Sequence, residues 1–388
     1  MRLRSNTNPS HPELMALIFV ALALMVLPQA AAARELPAAN PGCEETLQPI
    51  RWVNAKTPDE GLKTPFISAH RGGVNLAPEN TLWAYRHAFA YGADVIEIDV
   101  RQTVDGHFFA MHDATADRTT DGTGRVDLMN SDQIRQLNAA DYAPWSGSEY
   151  DPSPVPFLDE ILALAQEAGG GIEFDLKSVR NYRKLMNLVG RHEGLIDRSY
   201  FNAQSVIAQR IHGLNPRARF IFNLSGKERS GRLFFETFTS SVFGSRLTRF
   251  TAEKIAAVHD GCGWIIPHSY DQGPNREAEQ FELGRSMGAD GAQVNQVDVI
   301  RAAMKNPIPT VVQLDTIDDA PSACLVNANN GLGVPQKTVK FFSEDDSLLG
   351  TAQTDRWGCA APIPDGFSRA EFEGDETAQP AIAQNSMN

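Results

Sequence analysis

The chain has no excess of basic residues. Its 48 acidic and 35 basic side chains leave a net charge of −13, which argues against the electropositive footprint of a nucleic-acid binder. The same acidity would repel an anionic substrate, so any phosphate site has to be locally basic or metal-loaded. Cysteine is scarce: Cys43, Cys262, Cys324 and Cys359 make up the whole set. Their long, irregular spacings contain no CxxC and argue against a thiolate zinc site. An even count suits two disulfides in any of three connectivities. Cys324 and Cys359 flank one C-terminal segment and are the preferred pair, with free buried thiols as the alternative. No internal repeat recurs at solenoid periods. The apolar run LMALIFVALALMVL, Leu14 to Leu27, has 14 residues, short of the roughly 20 that cross a bilayer. Arg2 and Arg4 precede it and Ala31, Ala32 and Ala33 follow. Residues 1–33 therefore read as a signal peptide, and the protein as exported, periplasmic or secreted. An uncleaved anchor is the alternative.

What the chain does have is concentrated between His70 and Asp113, HRGGVNLAPENTLWAYRHAFAYGADVIEIDVRQTVDGHFFAMHD. His70 ends the apolar run FISA and His112 ends FFAM. Between them DVIEIDV alternates: Glu97 and Asp99 share one strand face, Ile96, Ile98 and Val100 the other. Burying paired carboxylates costs several kcal/mol unless a cation or donors compensate, and a divalent metal is the simplest compensation. GIEFDLK repeats the pattern, with Glu173, Asp175 and Lys177 on one face. Carboxylates without a thiolate point to a hard cation such as Ca²⁺ or Mg²⁺.

Without residues 1–33 about 355 residues remain, a normal length for a decorated (β/α)₈ barrel. Residues 34–63 are Pro-rich and polar and read as an N-terminal arm, with the barrel over 64–306. FISA is the first strand, followed by a helix from about Asn80 to Tyr91. Strands Val95–Val100 and Phe108–Met111 come next, then a polar, turn-rich insertion over 114–156 after the third strand. Helices Phe157–Ala168, Tyr182–Arg191, Ser205–Leu214, Thr251–Asp260 and Arg276–Gly288 then alternate with strands Gly171–Leu176, Ser199–Ala203, Arg219–Asn223, Trp264–Pro267 and Ala292–Asn295. Ser225–Arg249 is longer and less regular than a simple connection. About eight strands with helices between most of them predict a parallel TIM (β/α)₈ barrel, with a doubly wound open sheet as the alternative. Residues 307–367 form a C-terminal extension expected to wrap the barrel wall. The acidic, Ala/Gln/Asn-rich stretch 368–388 reads as a disordered tail. Active sites of this fold lie at the C-terminal strand ends, where His70, Glu97, Asp99 and His112 fall.

HRG, PENT, GAD-x-IEIDV-x-x-T-x-DG and HD followed by RTT-x-G-x-G together resemble the glycerophosphodiester phosphodiesterase family. The resemblance runs from His70 to about Gly124 and resumes at VPFLDEIL and DLK. It implies a TIM barrel with a small insertion, one divalent cation, and hydrolysis of a small-molecule glycerophosphodiester to glycerol 3-phosphate and an alcohol. By this resemblance His70 and His112 are the catalytic pair, leaning to His70 as acid and His112 as base. Arg71 contacts phosphate with Lys177, and Glu97, Asp99 and Asp175 hold the metal. Asp175 is a shorter carboxylate than the family's usual Glu, and Glu173 would sit roughly 6–7 Å deeper. In GADGAQVNQVDVI, Asn295 stands where the family often has Asp and Val297 where it often has Pro.

The chemistry asks for such parts independently. A phosphodiester anion needs charge neutralisation, an activated nucleophile and a protonated leaving oxygen. Glu79 and Asn80 are expected to cap the first helix and hold the loop. Asp113 either orients His112 or starts a turn. The remaining histidines are expected to be solvated or packed, with His268, at the end of the seventh strand, the exception, while Trp264 is expected in the core. A phospholipase D or sphingomyelinase D-like lipid phosphodiesterase forming cyclic phosphate is the competing enzyme, and a non-catalytic barrel with eroded motifs the third reading. Membrane contact is allowed but not required. Composition does not set the oligomeric state.

Overall fold

The computed structural model describes residues 66–223, 242–260, 264–268, 274–317 and 320–384. The expected signal peptide, the N-terminal arm, Cys43 and Cys262 lie outside them.

Eight parallel strands make the barrel: β1 (Phe66–Ala69), β2 (Val95–Gln102), β4 (Gly171–Ser178), β5 (Tyr200–Asn202), β6 (Phe220–Asn223), β7 (Val242–Arg246), β8 (Trp264–His268) and β9 (Gly291–Val294). The ring closes because β1 pairs with both β9 and β2. Helices α1 (Leu82–Ala90), α3 (Leu158–Ala168), α4 (Tyr182–Val189), α5 (Ser205–Leu214), α6 (Ala252–Asp260), α7 (Pro274–Ser286) and α8 (Val297–Ala303) connect them, and the short α2 (Ser131–Arg135) belongs to the insertion. Strand alternation sorts the core. Phe66, Val95, Tyr200, Ile221, Val242 and Ile266 gather into an apolar floor inside the ring. Ile96, Ile98, Ile172, Phe174 and Phe201 take the opposite parity and join the larger core with Phe89 of α1 and Ile161 and Leu162 of α3. Phe174 and Phe201 stack at 4.7 Å between centroids.

The expected barrel is present, but one of its expected staves is not. Phe108–Ala110 (β3) pairs antiparallel with β2 and stands outside the ring. The missing stave is Val242–Arg246, inside the stretch that reads as an irregular connection, where Gly244 and Ser245 weaken the strand pattern. The hairpin β2–β3 explains the error, because three apolar residues after a turn look alike in either direction. Residues 114–156 pack on this hairpin around their own small core, which includes Phe109, Val126, Ile134 and Val155.

The C-terminal extension folds as two antiparallel sheets. One contains β10 (Thr310–Ile317), β11 (Ala320–Asn327) and β14 (Cys359–Ala360), and Cys324 and Cys359 form a disulfide across it. The other contains β12 (Thr338–Phe342), β13 (Leu348–Gln353), β15 (Arg369–Phe372) and β16 (Ala381–Gln384). The expectation of disorder over 368–388 is therefore wrong as far as residue 384. Ala370, Phe372 and Ala381 are buried, so a period of two was hidden by acidic neighbours. The extension also finishes α1. A helix leaves its last carbonyls without internal partners. Asn330 Nδ2 donates to Phe89 O at 2.9 Å and Asn327 Nδ2 to Ala90 O at 2.9 Å, while Arg301 Nε of the barrel's own α8 donates to Tyr91 O at 3.1 Å.

His87 of α1 is fully buried beneath this junction, between Trp83 and Tyr150, and its Nε2 donates to Arg356 O at 3.0 Å. Burial lowers its pKa from the ordinary 6.5 to about 4, with the Arg86 charge adding to the effect against hydrogen bonds to the backbone. A folded-state pKa below the unfolded one means the unfolded chain binds the proton first as pH falls. Stability contributed by neutral His87 is thus complete above pH 6.5 and drains away between 6.5 and about 4. Full loss amounts to about 3 kcal/mol. Denaturant titrations of the wild type and His87→Phe across that window should show a steeper acid loss in the wild type; parallel curves would exclude the role.

Candidate active site

Two neighbouring strands set the site. In the parallel pairing of β2 with β4, Glu97 stands opposite Glu173 and Asp99 opposite Asp175, so one E-x-D lies directly against another. Residues two apart on a strand share a face, and this face turns into the barrel mouth. One oxygen each of Glu97, Asp99 and Asp175 lies within 4.8 Å of the others.

Like charges at this spacing demand compensation, and the chain supplies part of it. Lys177 Nζ is 2.8 Å from Asp175 Oδ2 and 3.2 Å from Asp99 Oδ1. Arg71 Nε lies 3.6 Å from Asp99 Oδ2, while its backbone N–H donates to Glu97 Oε2 at 2.7 Å. Burial pushes Asp99 upward, but Lys177, Arg71 and the Asn80 amide outweigh it and hold the carboxyl below its usual range. Glu97 forms no ion pair among the described residues. Burial first, then Asp99, Asp175 and Glu173, drive its pKa well above the ordinary value. Burial likewise raises Asp175 in spite of Lys177.

These are the marks of a cation site: three converging oxygens, one acid without a counter-charge, and Asp99 Oδ1 buried without a hydrogen bond. The all-oxygen donor set fits a hard divalent ion. Glu173 stands apart from it. Its Oε2 accepts from Ser68 Oγ at 2.8 Å and Tyr200 OH at 3.1 Å, and burial raises its pKa to about 7. Its place opposite Glu97, one rung below Asp175, is the deeper position expected for it.

The corner after β1 delivers His70 and Arg71. Arg71 has φ 52°, in the left-handed region, and Gly72 and Gly73 follow at 86° and 81°. A Cβ on Gly72 would sit 2.7 Å from Ala84 Cβ, so only glycine lets the turn press onto α1. His70 Nδ1 is 2.8 Å from Asn295 Oδ1, and the ring lines the pocket. Burial, reinforced by the Arg71 charge, lowers the His70 pKa to about 4. His112 reaches the same place along the antiparallel β3, with Nδ1 held 2.7 Å from Asp113 Oδ1. Asp113 thus orients its neighbour.

One pocket is lined by His70, Arg71, Glu97, His112, Asp175 and Lys177, with Asn202, His268 and Gln293 also in its wall. Asp99 is buried behind this lining. All seven residues singled out in the sequence therefore come together, and His268 joins them. Trp264 is only half-buried.

Asn80 is a correction. Thr81 caps α1, accepting from Ala84 N at 3.2 Å, while Asn80 turns to the carboxylates. At φ 56° its Nδ2 donates to Asp99 Oδ2 and its Oδ1 accepts from Tyr85 OH, both at 2.8 Å. Glu79 also caps nothing; it holds the loop, taking Arg71 Nη1 at 3.0 Å. Both resemble capping residues because they precede a helix. The signal that could have separated them is Asn80's tolerance of the left-handed region, which a PEN turn needs.

The sequence pattern of the glycerophosphoryl diester phosphodiesterase family matches residues 70–215. Over 110 residues the chain is 44% identical to glycerophosphodiester phosphodiesterase 1 of Bos taurus, covering 28% of this chain and 33% of that protein. Over 117 residues it is 37% identical to a glycerophosphodiester phosphodiesterase of Caldanaerobacter subterraneus, covering 30% and 46%. The chain thus spans between a third and a half of the length of these curated relatives. Its fold is similar to that of a glycerophosphodiester phosphodiesterase from Agrobacterium tumefaciens, with a TM-score of 0.53 at 26% identity, over 61% of this chain and 98% of the other.

Replacing Asn80 by Ala strands the buried Tyr85 hydroxyl, strips a donor from Asp99 and puts a Cβ residue without side-chain bonding in the left-handed region. The expected loss of folding stability is about 2–4 kcal/mol, read from the denaturation midpoint; a change within 0.5 kcal/mol, about the noise of a surface substitution, would contradict this account.

Proposed function

We propose that this chain, whose residues 70–215 match the glycerophosphoryl diester phosphodiesterase family and whose fold is similar to that of one such enzyme, hydrolyses glycerophosphodiesters to glycerol 3-phosphate and an alcohol with the help of one divalent cation. The observation that carries this reading is the convergence, in one pocket, of two histidines with three carboxylates, an arginine and a lysine. Glu97, Asp99 and Asp175 would hold the ion. Bound there, it supplies Lewis-acid neutralisation of charge on the phosphoryl oxygens.

The rest falls to side chains. The Arg71 guanidinium and Lys177 ammonium face the pocket and attract the phosphate anion. Asp113 fixes His112 with Nδ1–H directed at the carboxylate, so Nε2 is the proton acceptor. It takes a proton from the attacking water or substrate hydroxyl, and Asp113 stabilises the imidazolium that results. His70, held neutral by its burial, gains its proton when the anionic substrate enters. It passes that proton from Nε2 to the leaving alcohol oxygen as the P–O bond breaks. The polar lining gives the lipid-cleaving alternative no particular support. A chain that closes a disulfide suits an oxidising compartment, which supports export, and the substrate is a small molecule.

His112→Ala should lower kcat on glycerophosphocholine about 10²–10⁴-fold while leaving the melting transition in place. Asp99→Asn should lose both activity and cation binding by calorimetry. EDTA should abolish turnover, and Ca²⁺, Mg²⁺ or Mn²⁺ should restore it. Full rates in EDTA, or in either variant, would refute the assignment, and a cyclic phosphate as the end product would favour the lipid phosphodiesterase.

A further inference from the structure

We infer that Arg118, carried by the insertion, is a positioning residue for both flanks of the catalytic pocket, an inference that rests on the phosphodiesterase reading. Its guanidinium grips two carboxylates at once. Nη1 and Nη2 donate to Glu79 Oε2 and Oε1 at 3.0 and 2.6 Å. Nε and Nη2 donate to Asp113 Oδ2 and Oδ1 at 2.6 and 3.2 Å. Each carboxylate has a second partner in the site: Glu79 Oε1 accepts from Arg71 Nη1 at 3.0 Å, and Asp113 Oδ1 meets His112 Nδ1 at 2.7 Å. The result is one unbroken sequence of contacts, Arg71, Glu79, Arg118, Asp113, His112, in which guanidinium and carboxylate alternate up to the imidazole at its end. It joins the phosphate-facing guanidinium on one side of the pocket to the imidazole on the other.

The planar fork is what makes this possible, because its donors are fixed in directions that match two carboxylates. An ammonium could satisfy one of them. Tyr142, also in the insertion, accepts from the Glu79 backbone N–H at 3.0 Å, so the insertion holds that loop twice. Without Arg118, Glu79 and Asp113 would lose their shared cation and be free to reorient, carrying Arg71 and His112 with them. Arg118 itself is 44% exposed, and ion pairs so exposed contribute little to stability. Its effect belongs in the rate.

The test compares kcat and KM on glycerophosphocholine, with saturating divalent cation, for wild type, Arg118→Ala, Arg118→Lys, Asp113→Asn and the double variant Arg118→Ala/Asp113→Asn. Arg217→Ala, which removes an exposed pair with Asp197, serves as the control. Arg118→Ala should lower kcat about 10–100-fold and raise KM, with the melting temperature within a few degrees of wild type. Arg118→Lys should recover only part of the loss. The double variant should fall little below the worse single one, because the two residues act in series. Wild-type kinetics in Arg118→Ala, losses that simply add in the double variant, or a collapsed melting transition would each overturn the inference. A wild type that turns over no glycerophosphodiester with any cation would instead sink the phosphodiesterase reading, and this inference with it.

Discussion

The register between β2 and β4 decides most of what this barrel can do. Setting Glu97 against Glu173 and Asp99 against Asp175 stacks four acids in two rungs inside a closed ring, three of them buried. Every notable polar feature nearby answers that arrangement. In the lower rung Glu173 is quenched by hydroxyls, those of Ser68 and Tyr200. The upper rung recruits Lys177, Arg71 and the Asn80 amide. Glu97 is left with a single backbone donor, and this shortfall of positive charge is the physical argument for a cation. Slipping either strand by one residue would turn the acids into the apolar helical layer, so the catalytic geometry and the packing of Ile96, Ile98 and Phe174 are enforced together.

The two histidines occupy different electrical surroundings. His70 is buried beside Arg71 and answered by a neutral amide, Asn295. His112 is answered by a carboxylate, Asp113. A pair of identical side chains is thereby given unlike partners, a neutral amide for one and a carboxylate for the other. Asn295, which departs from the pattern the sequence resembles, is part of this difference and not a remote variation.

How much of this was legible in the sequence depended on how local the cause was. Glu97 and Asp99 could be paired because strand alternation alone puts them on one face, and the repeat in GIEFDLK exposed Asp175 and Lys177 in the same way. Asn80 was misread because its partners, Asp99 and Tyr85, are set by tertiary contact, while its position before a helix mimics a cap. The sixth barrel strand, Val242–Arg246, is hard to see in the sequence because it is short and carries Gly and Ser, whereas the apolar FFAM outside the ring looks like a better strand. The final segment looked disordered because its acidic exposed positions alternate with only a few buried ones, Ala370, Phe372 and Ala381, that reveal their purpose only against β12. Arg118 sat in a motif already noted, yet no spacing rule links it to Glu79, 39 residues away.

The side-chain amides that Asn327 and Asn330 place on the end of α1 have a reach beyond that helix. α1 begins at the loop bearing Glu79 and Asn80, so the part of the chain that braces the catalytic mouth is anchored at its other end by residues far downstream. A barrel shortened before those asparagines would expose bare carbonyls at the foot of the same helix whose head supports the active site. The all-β extension is therefore better understood as a remote foundation of the pocket than as a module added to it.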